Sequence, residues 1–133
     1  MVILDTNIII EHLRLSSLGK KSILRKLNEK YSKDELAISI ISIQELYEGL
    51  STKNEQKEQI LLSILSPIKI LPYSYEVAKL AGEIARDIKR PINLADATLA
   101  STTIINASSL ATLNSKDFKG IPGLELLDLT NGI

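Results

Sequence analysis

Short apolar runs that break off on turn or capping residues, each followed by apolar residues at helical spacing, constrain this chain more than any other feature. The first is VILDTN, residues 2 to 7. Val2, Ile3 and Leu4 stop on Asp5, Thr6 and Asn7, and Ile8, Ile9 and Ile10 follow at once. Such a passage reads as strand, turn, helix. LAISI (36–40), IKIL (68–71), SLATL (109–113) and LELLDL (124–129) are the later strand candidates. Residues 8–15 predict a short helix, and Ile23, Leu24, Leu27 and Tyr31 mark a second. SIQELYEGL opens a third at Ser42, and Ile60, Leu61, Ile64 and Leu65 stripe a fourth. The clearest helical period is Val77, Leu80, Ala81, Ile84, Ala85 and Ile88. Pro67 and Pro91 end two of these helices, and Asn93 is placed to cap another, over NLADATLAS. Strands alternating with helices predict a mostly parallel sheet covered on both faces, the α/β class.

A length of 133 residues predicts one domain, 1–133, with a single core. No apolar run approaches the ~18 residues a membrane span needs. Asp5 and Glu11 interrupt the apolar amino-terminal stretch and no basic segment precedes it, which argues against a secretory signal. The chain has no Cys, so disulfides and thiolate metal sites are excluded and a cytoplasmic location is the expectation. His12 is the only histidine, which removes zinc sites built from several imidazoles; at a helix end it reads as a surface or packing residue. With 16 basic and 16 acidic residues, bulk positive charge is not available for gripping nucleic acid. The charge is nevertheless uneven. Residues 20–33 hold Lys20, Lys21, Arg25, Lys26, Lys30 and Lys33 against Glu29 alone. A solvated helix face is the default for such a run, and a surface for a polyanion the sharper alternative. Tyr47, Tyr73 and Tyr75 are read as partly buried packing residues rather than base-stacking ones.

The acids fall at particular places on this outline. Asp5 ends the first strand, and Glu45 is expected in the first turn of the helix after the second. Asp96 is expected in the first turn of the helix from Asn93, and Asp117 follows SLATL within LNSKDF. A parallel sheet brings the strand-linked acids to its carboxyl edge, and Asp96 can join them from its helix start. Each acid alone has an ordinary structural reading. Ser42-x-x-Glu45 matches a capping box. Asp96 would favour a helix dipole by a few tenths to ~1 kcal/mol. Asp5 and Asp117 suit turns. Converging carboxylates, by contrast, repel unless a cation joins them or one is protonated. Oxygen-only donors select hard ions, Mg²⁺ or Mn²⁺. Such an ion suits phosphodiester hydrolysis.

Taken in order, LDTNIII, SIQEL, LADATLAS and TLNSKDF with IPGL resemble the four motif blocks of PIN-domain ribonucleases. Among these the chain is most similar to the VapC-type toxins of toxin–antitoxin pairs, over residues 2 to about 127. The resemblance implies a PIN-like three-layer α/β/α fold and a Mg²⁺- or Mn²⁺-dependent endoribonuclease acting on RNA. It also implies a homodimer and a cognate VapB-like antitoxin that blocks the active site. It assigns Asp5, Glu45, Asp96 and Asp117 to the metal-binding catalytic cluster, and Thr6, Ser42 and Asn114 to side chains that support those acids. The antitoxin contact is expected on the apolar helices near residues 8–15 and 54–65.

Two rivals remain. A phosphatase of the haloacid type wants a second Asp two residues after the first, where this chain has Asn7, and a receiver-like domain wants paired acids that cannot be placed. Neither GxxxxGK[ST] nor GxGxxG occurs. The stronger rival is a non-catalytic interaction module whose acids merely cap helices.

Overall fold

In the computed structural model, which describes residues 1–131 and 133, the chain forms a five-stranded sheet in which every neighbouring pair is parallel. The strands are β1 (Val2–Leu4), β2 (Leu36–Ser39), β3 (Lys69–Leu71), β4 (Ser109–Ala111) and β5 (Glu125–Leu126), and they lie in the order β3-β2-β1-β4-β5. The helices are α1 (Thr6–Ser17), α2 (Ile23–Lys30), α3 (Ile40–Glu48), α4 (Glu55–Leu65), α5 (Tyr75–Asp87) and α6 (Leu94–Ile105).

Successive strand side chains point to opposite faces, and here both faces are apolar. Val2 and Leu4 join one core with Leu36 and Ile38, against Ile8, Leu24, Leu27 and Leu61 of the helices. Ile3 and Ala37 point the other way, into a second core with Ile84, Leu99, Leu110 and Phe118. Two helical layers thus sandwich the sheet, and β1 has no exposed face. This is the expected three-layer α/β/α arrangement, with the sheet wholly rather than mostly parallel.

Local sequence explains most helix starts. The side chains of Ser22, Asn54, Ser74 and Asn93 each accept from an amide of the turn they cap, bonds worth about 1 kcal/mol apiece. The third helix corrects the expectation. It begins at Ile40 rather than near Ser42, because Ser39 leaves the strand extended and its Oγ accepts from the Ile41 amide at 3.1 Å. Ser42 therefore lies inside the helix, fully buried, and its Oγ finds no partner. The Ser42–Glu45 capping box does not form, and Glu45 moves from the first turn to the second. The last strand is also shorter than LELLDL suggests. Asp128 Oδ1 accepts from the Thr130 and Asn131 amides, closing a turn in place of further ladder. Tyr47, Tyr73 and Tyr75 are exposed rather than partly buried, and the Tyr47 hydroxyl donates to Glu58 at 2.7 Å.

Candidate active site

The chain builds β2 and β3 on one side of β1 and then crosses to place β4 on the other. In open α/β sheets the crevice at such a reversal, outside the carboxyl ends of the strands, is where ligands bind. Asp5, the residue after β1, stands there. Its amide donates to Ala111 at the end of β4 (2.9 Å), and the Thr112 hydroxyl donates to its Oδ2 (2.7 Å). Thr112 is in turn an acceptor for the Asn114 amide at 3.0 Å and, more weakly, for Asn7 Nδ2 at 3.4 Å. One hydroxyl thereby uses its donor and both lone pairs, and it orients the carboxyl against a 7 % exposed background.

Glu45 reaches the same edge from α3. Its Oε1 accepts from Thr6 Oγ1 at 2.6 Å, across 39 residues of sequence. Asp96 sits in the first turn of α6, half-buried, where its amide donates to the Asn93 side chain at 2.7 Å. Asp117 lies on the short 3₁₀ turn Ser115–Phe118 after β4 and is exposed.

The four acids feel one another. Burial pushes the Asp96 carboxyl up to about 6, and the charges of Asp5, Asp117 and Glu45 add in the same direction. Asp5 is raised as well, first by burial, then by Glu45 and Asp117, against the lowering effect of its hydrogen bonds to Thr112 and the Thr6 backbone. Among the described residues no three acid or histidine side chains are gathered so as to hold an ion as they stand. The donor set still suits a hard cation: four carboxylates, no sulfur, no imidazole. Asp117 stands on an exposed turn, with no hydrogen bond to its carboxylate among the described residues.

The supporting residues divide. Thr6 bonds an acid, as expected. Ser42 is buried and has no hydrogen-bond partner among the described residues, and Asn114 contributes its backbone, accepting from the Asp117 amide at 3.0 Å and donating to Thr112. Thr112 and Asn7 were missed. Both lie within the matched blocks, and a hydroxyl directly after a strand, one residue from its carboxyl edge, was the available signal. His12 is a packing residue: its Nδ1 lies 2.6 Å from Ser22 Oγ, joining α1 to the cap of α2, and burial lowers its pKa.

Asp5 and Glu45 do not serve as caps. Asp5 occupies the N-cap position of α1 without making the side-chain capping bond, and Glu45 bonds Thr6 instead of its own helix start.

The PIN-domain family model matches residues 2–124, and the chain belongs to that family. It is 32% identical to the ribonuclease VapC1 of Rickettsia felis, with 98% of this chain and 97% of the relative aligned. It is also 32% identical to the ribonuclease VapC of Rickettsia bellii over 95% and 94% of the two chains. Among solved structures, a chain of the VapBC2 complex of Rickettsia felis, bound to a DNA fragment from its promoter, superposes with a TM-score of 0.81 at 30% identity, covering 95% of this chain and 97% of that one. A FitAcB chain from Neisseria gonorrhoeae gives 0.78 at 26% identity, covering 97% and 98%.

Proposed function

We propose that the chain is the toxin of a type II toxin–antitoxin pair, an endoribonuclease that hydrolyses RNA phosphodiester bonds with Mg²⁺ or Mn²⁺ held by Asp5, Glu45, Asp96 and Asp117. The observation that carries the reading is the approach of four acids from four separate elements at the sheet's reversal point: the Asp96 carboxyl, pushed up to about 6 first by its burial, is raised further by the charges of Asp5, Asp117 and Glu45. The names of the relatives support the substrate and the toxin role.

A bound divalent ion would supply charge neutralisation and water activation there. The chain's own residues do the remaining work. Thr112 fixes Asp5, and Thr6 fixes Glu45, so two of the four carboxylates are held in place before any ion arrives. Asn93 holds the first turn of α6 and with it Asp96. Asp117 completes the set from its exposed turn.

The antitoxin is expected in an apolar groove between α1, α3 and α4. Ile10, Leu50 and Ile60, 52 %, 78 % and 55 % exposed, line it with Leu13, Leu46 and Ile64. Glu45 forms part of the same wall, so a segment seated there reaches the acids directly. A VapB-like partner with apolar anchors at helical spacing fits this shape. The family likeness also implies a homodimer. Among the described residues no helix is long and apolar enough to cross a membrane, and access to cellular RNA implies the cytoplasm as the working compartment.

The test is cleavage of total cellular RNA by the purified protein, with Mg²⁺ and with EDTA, followed by mapping of the new ends. Discrete metal-dependent ends are expected. If RNA survives intact with Mg²⁺ and with Mn²⁺, the nuclease reading fails and the interaction-module reading replaces it.

A further inference from the structure

A cleft of about 640 Å³ lies between the carboxyl-terminal end of α5 and residues 119–122. Its floor is apolar, with Leu80, Ile84 and Ile121, while Arg86, Lys89, Arg90 and Lys119 line its rim against Glu83 and Asp87. Asp87 is already taken. Arg86 grips it bidentately, Nε to Oδ1 at 2.7 Å and Nη2 to Oδ2 at 2.8 Å. What remains is Lys89, Arg90 and Lys119 facing one acid, a local positive excess on a chain whose charges otherwise balance. Lys89 and Lys119 form no ion pair among the described residues.

Arg90 ties this cleft to the acids. Its Nη2 donates to the backbone carbonyls of Asp117 (2.9 Å) and Lys119 (2.7 Å), across 27 and 29 residues of sequence. Arg90, which lines the cleft, is thereby bonded to the turn that presents Asp117, and Lys119, the residue that follows that turn, begins the cleft's opposite wall.

We propose that this cleft binds the backbone phosphates of the RNA strand on one side of the bond to be cut, with Lys89 and Lys119 as the phosphate contacts and Arg90 as the residue that positions the Asp117 turn against it. The proposal rests on the nuclease reading above. Its physical basis is charge: four acids repel a polyanion, and cations at their edge offset that repulsion where the strand must enter. The apolar floor accommodates ribose and base surfaces while the ammonium groups meet phosphate as point charges. In the Lys-rich run on and around α2, by comparison, Lys21 is engaged by Glu29 at 2.7 Å.

The experiment compares the wild type with the double variant Lys89→Gln, Lys119→Gln and with Lys26→Ala on α2, all checked for folding by circular dichroism. Binding of a fluorescent single-stranded RNA is measured in EDTA across salt concentrations, and kcat and KM are measured with Mg²⁺. The double variant should bind at least about tenfold more weakly, and its log K against log salt slope should be shallower by about 1.4, two phosphates at ~0.7 each. KM should rise while kcat at saturation stays within about twofold, and Lys26→Ala should match the wild type throughout. A double variant with wild-type affinity, slope and KM overturns the cleft and leaves the nuclease reading standing. A loss confined to Lys26→Ala overturns it in favour of α2. A wild type that neither binds nor cuts RNA overturns both.

Discussion

At the scale of single residues, the buried carboxyl of Asp5 is in tension between two sets of neighbours. Thr112 steadies its charged form, while burial and the charges of Glu45 and Asp117 oppose it. Two unit charges about 4 Å apart repel by about 1 kcal/mol in water and about 4 at an effective dielectric near 20. Asp5→Asn keeps the shape of the side chain and removes one of these charges. In EDTA its melting temperature should equal or exceed that of the wild type. Mg²⁺ should stabilise the wild type by mass action and the variant less, and RNA cleavage should fall by orders of magnitude. Thermal melts in both buffers beside a cleavage assay measure all three. Cleavage at the wild-type rate would remove Asp5 from the metal set and take the mechanism with it.

Among the elements, α3 shows how two serines three residues apart do opposite work. Ser39 ends β2 and caps the helix, whereas Ser42 is enclosed with an unbonded hydroxyl. Ser39→Ala should cost about 2 kcal/mol, the upper end of the cap range, because the site is buried. Ser42→Ala removes a buried polar atom that has no partner, so its stability should be unchanged or higher. Urea titrations of the two variants give the comparison. A larger loss at Ser42 than at Ser39 would mean that the helix is capped as the sequence pattern suggested, not as the structure has it.

Across the whole molecule, the acid cluster links stability to pH. Asp96 titrates at about 6 when folded and at its ordinary 3.8 when unfolded. Between those values the folded chain binds more protons, so this residue's contribution is favourable below about pH 4 and is lost as pH rises through 6. Asp5, raised in the same sense, adds to the loss. His12, lowered by burial, acts oppositely, its stabilisation fading as pH falls. The cleanest reading is therefore a difference between variants. Metal-free Asp96→Asn should gain stability over the wild type on going from about pH 4 to about pH 7.5, by on the order of 1 kcal/mol once solvent screening of a half-exposed group is allowed for. A flat difference across that range would show that Asp96 is not raised as its burial and its acidic neighbours require.

Much of this was legible in the chain itself. Such patterns are local, so short apolar strand runs and helix stripes of period 3.6 identified α/β alternation, and the cap at Asn93 and the helix stop at Pro67 could be read from the residues alone. The four acids could be singled out because each sits just beyond a strand or at a helix start, and the ordered blocks around them pointed to the family that residues 2–124 match. Where those acids meet was decided elsewhere. The strand order that sets β1 between β2 and β4, the Thr6–Glu45 bond across 39 residues and the Thr112–Asp5 bond across 107 depend on pairing between distant segments, which no local pattern encodes. The same holds for Ser39 prevailing over Ser42 as the cap of α3, since both match the cap preference and only the end of β2 and the burial of Ser42 distinguish them. Arg90, a basic residue like its neighbours in the sequence, acquires its place beside Asp117 only when α5 packs next to the turn after β4.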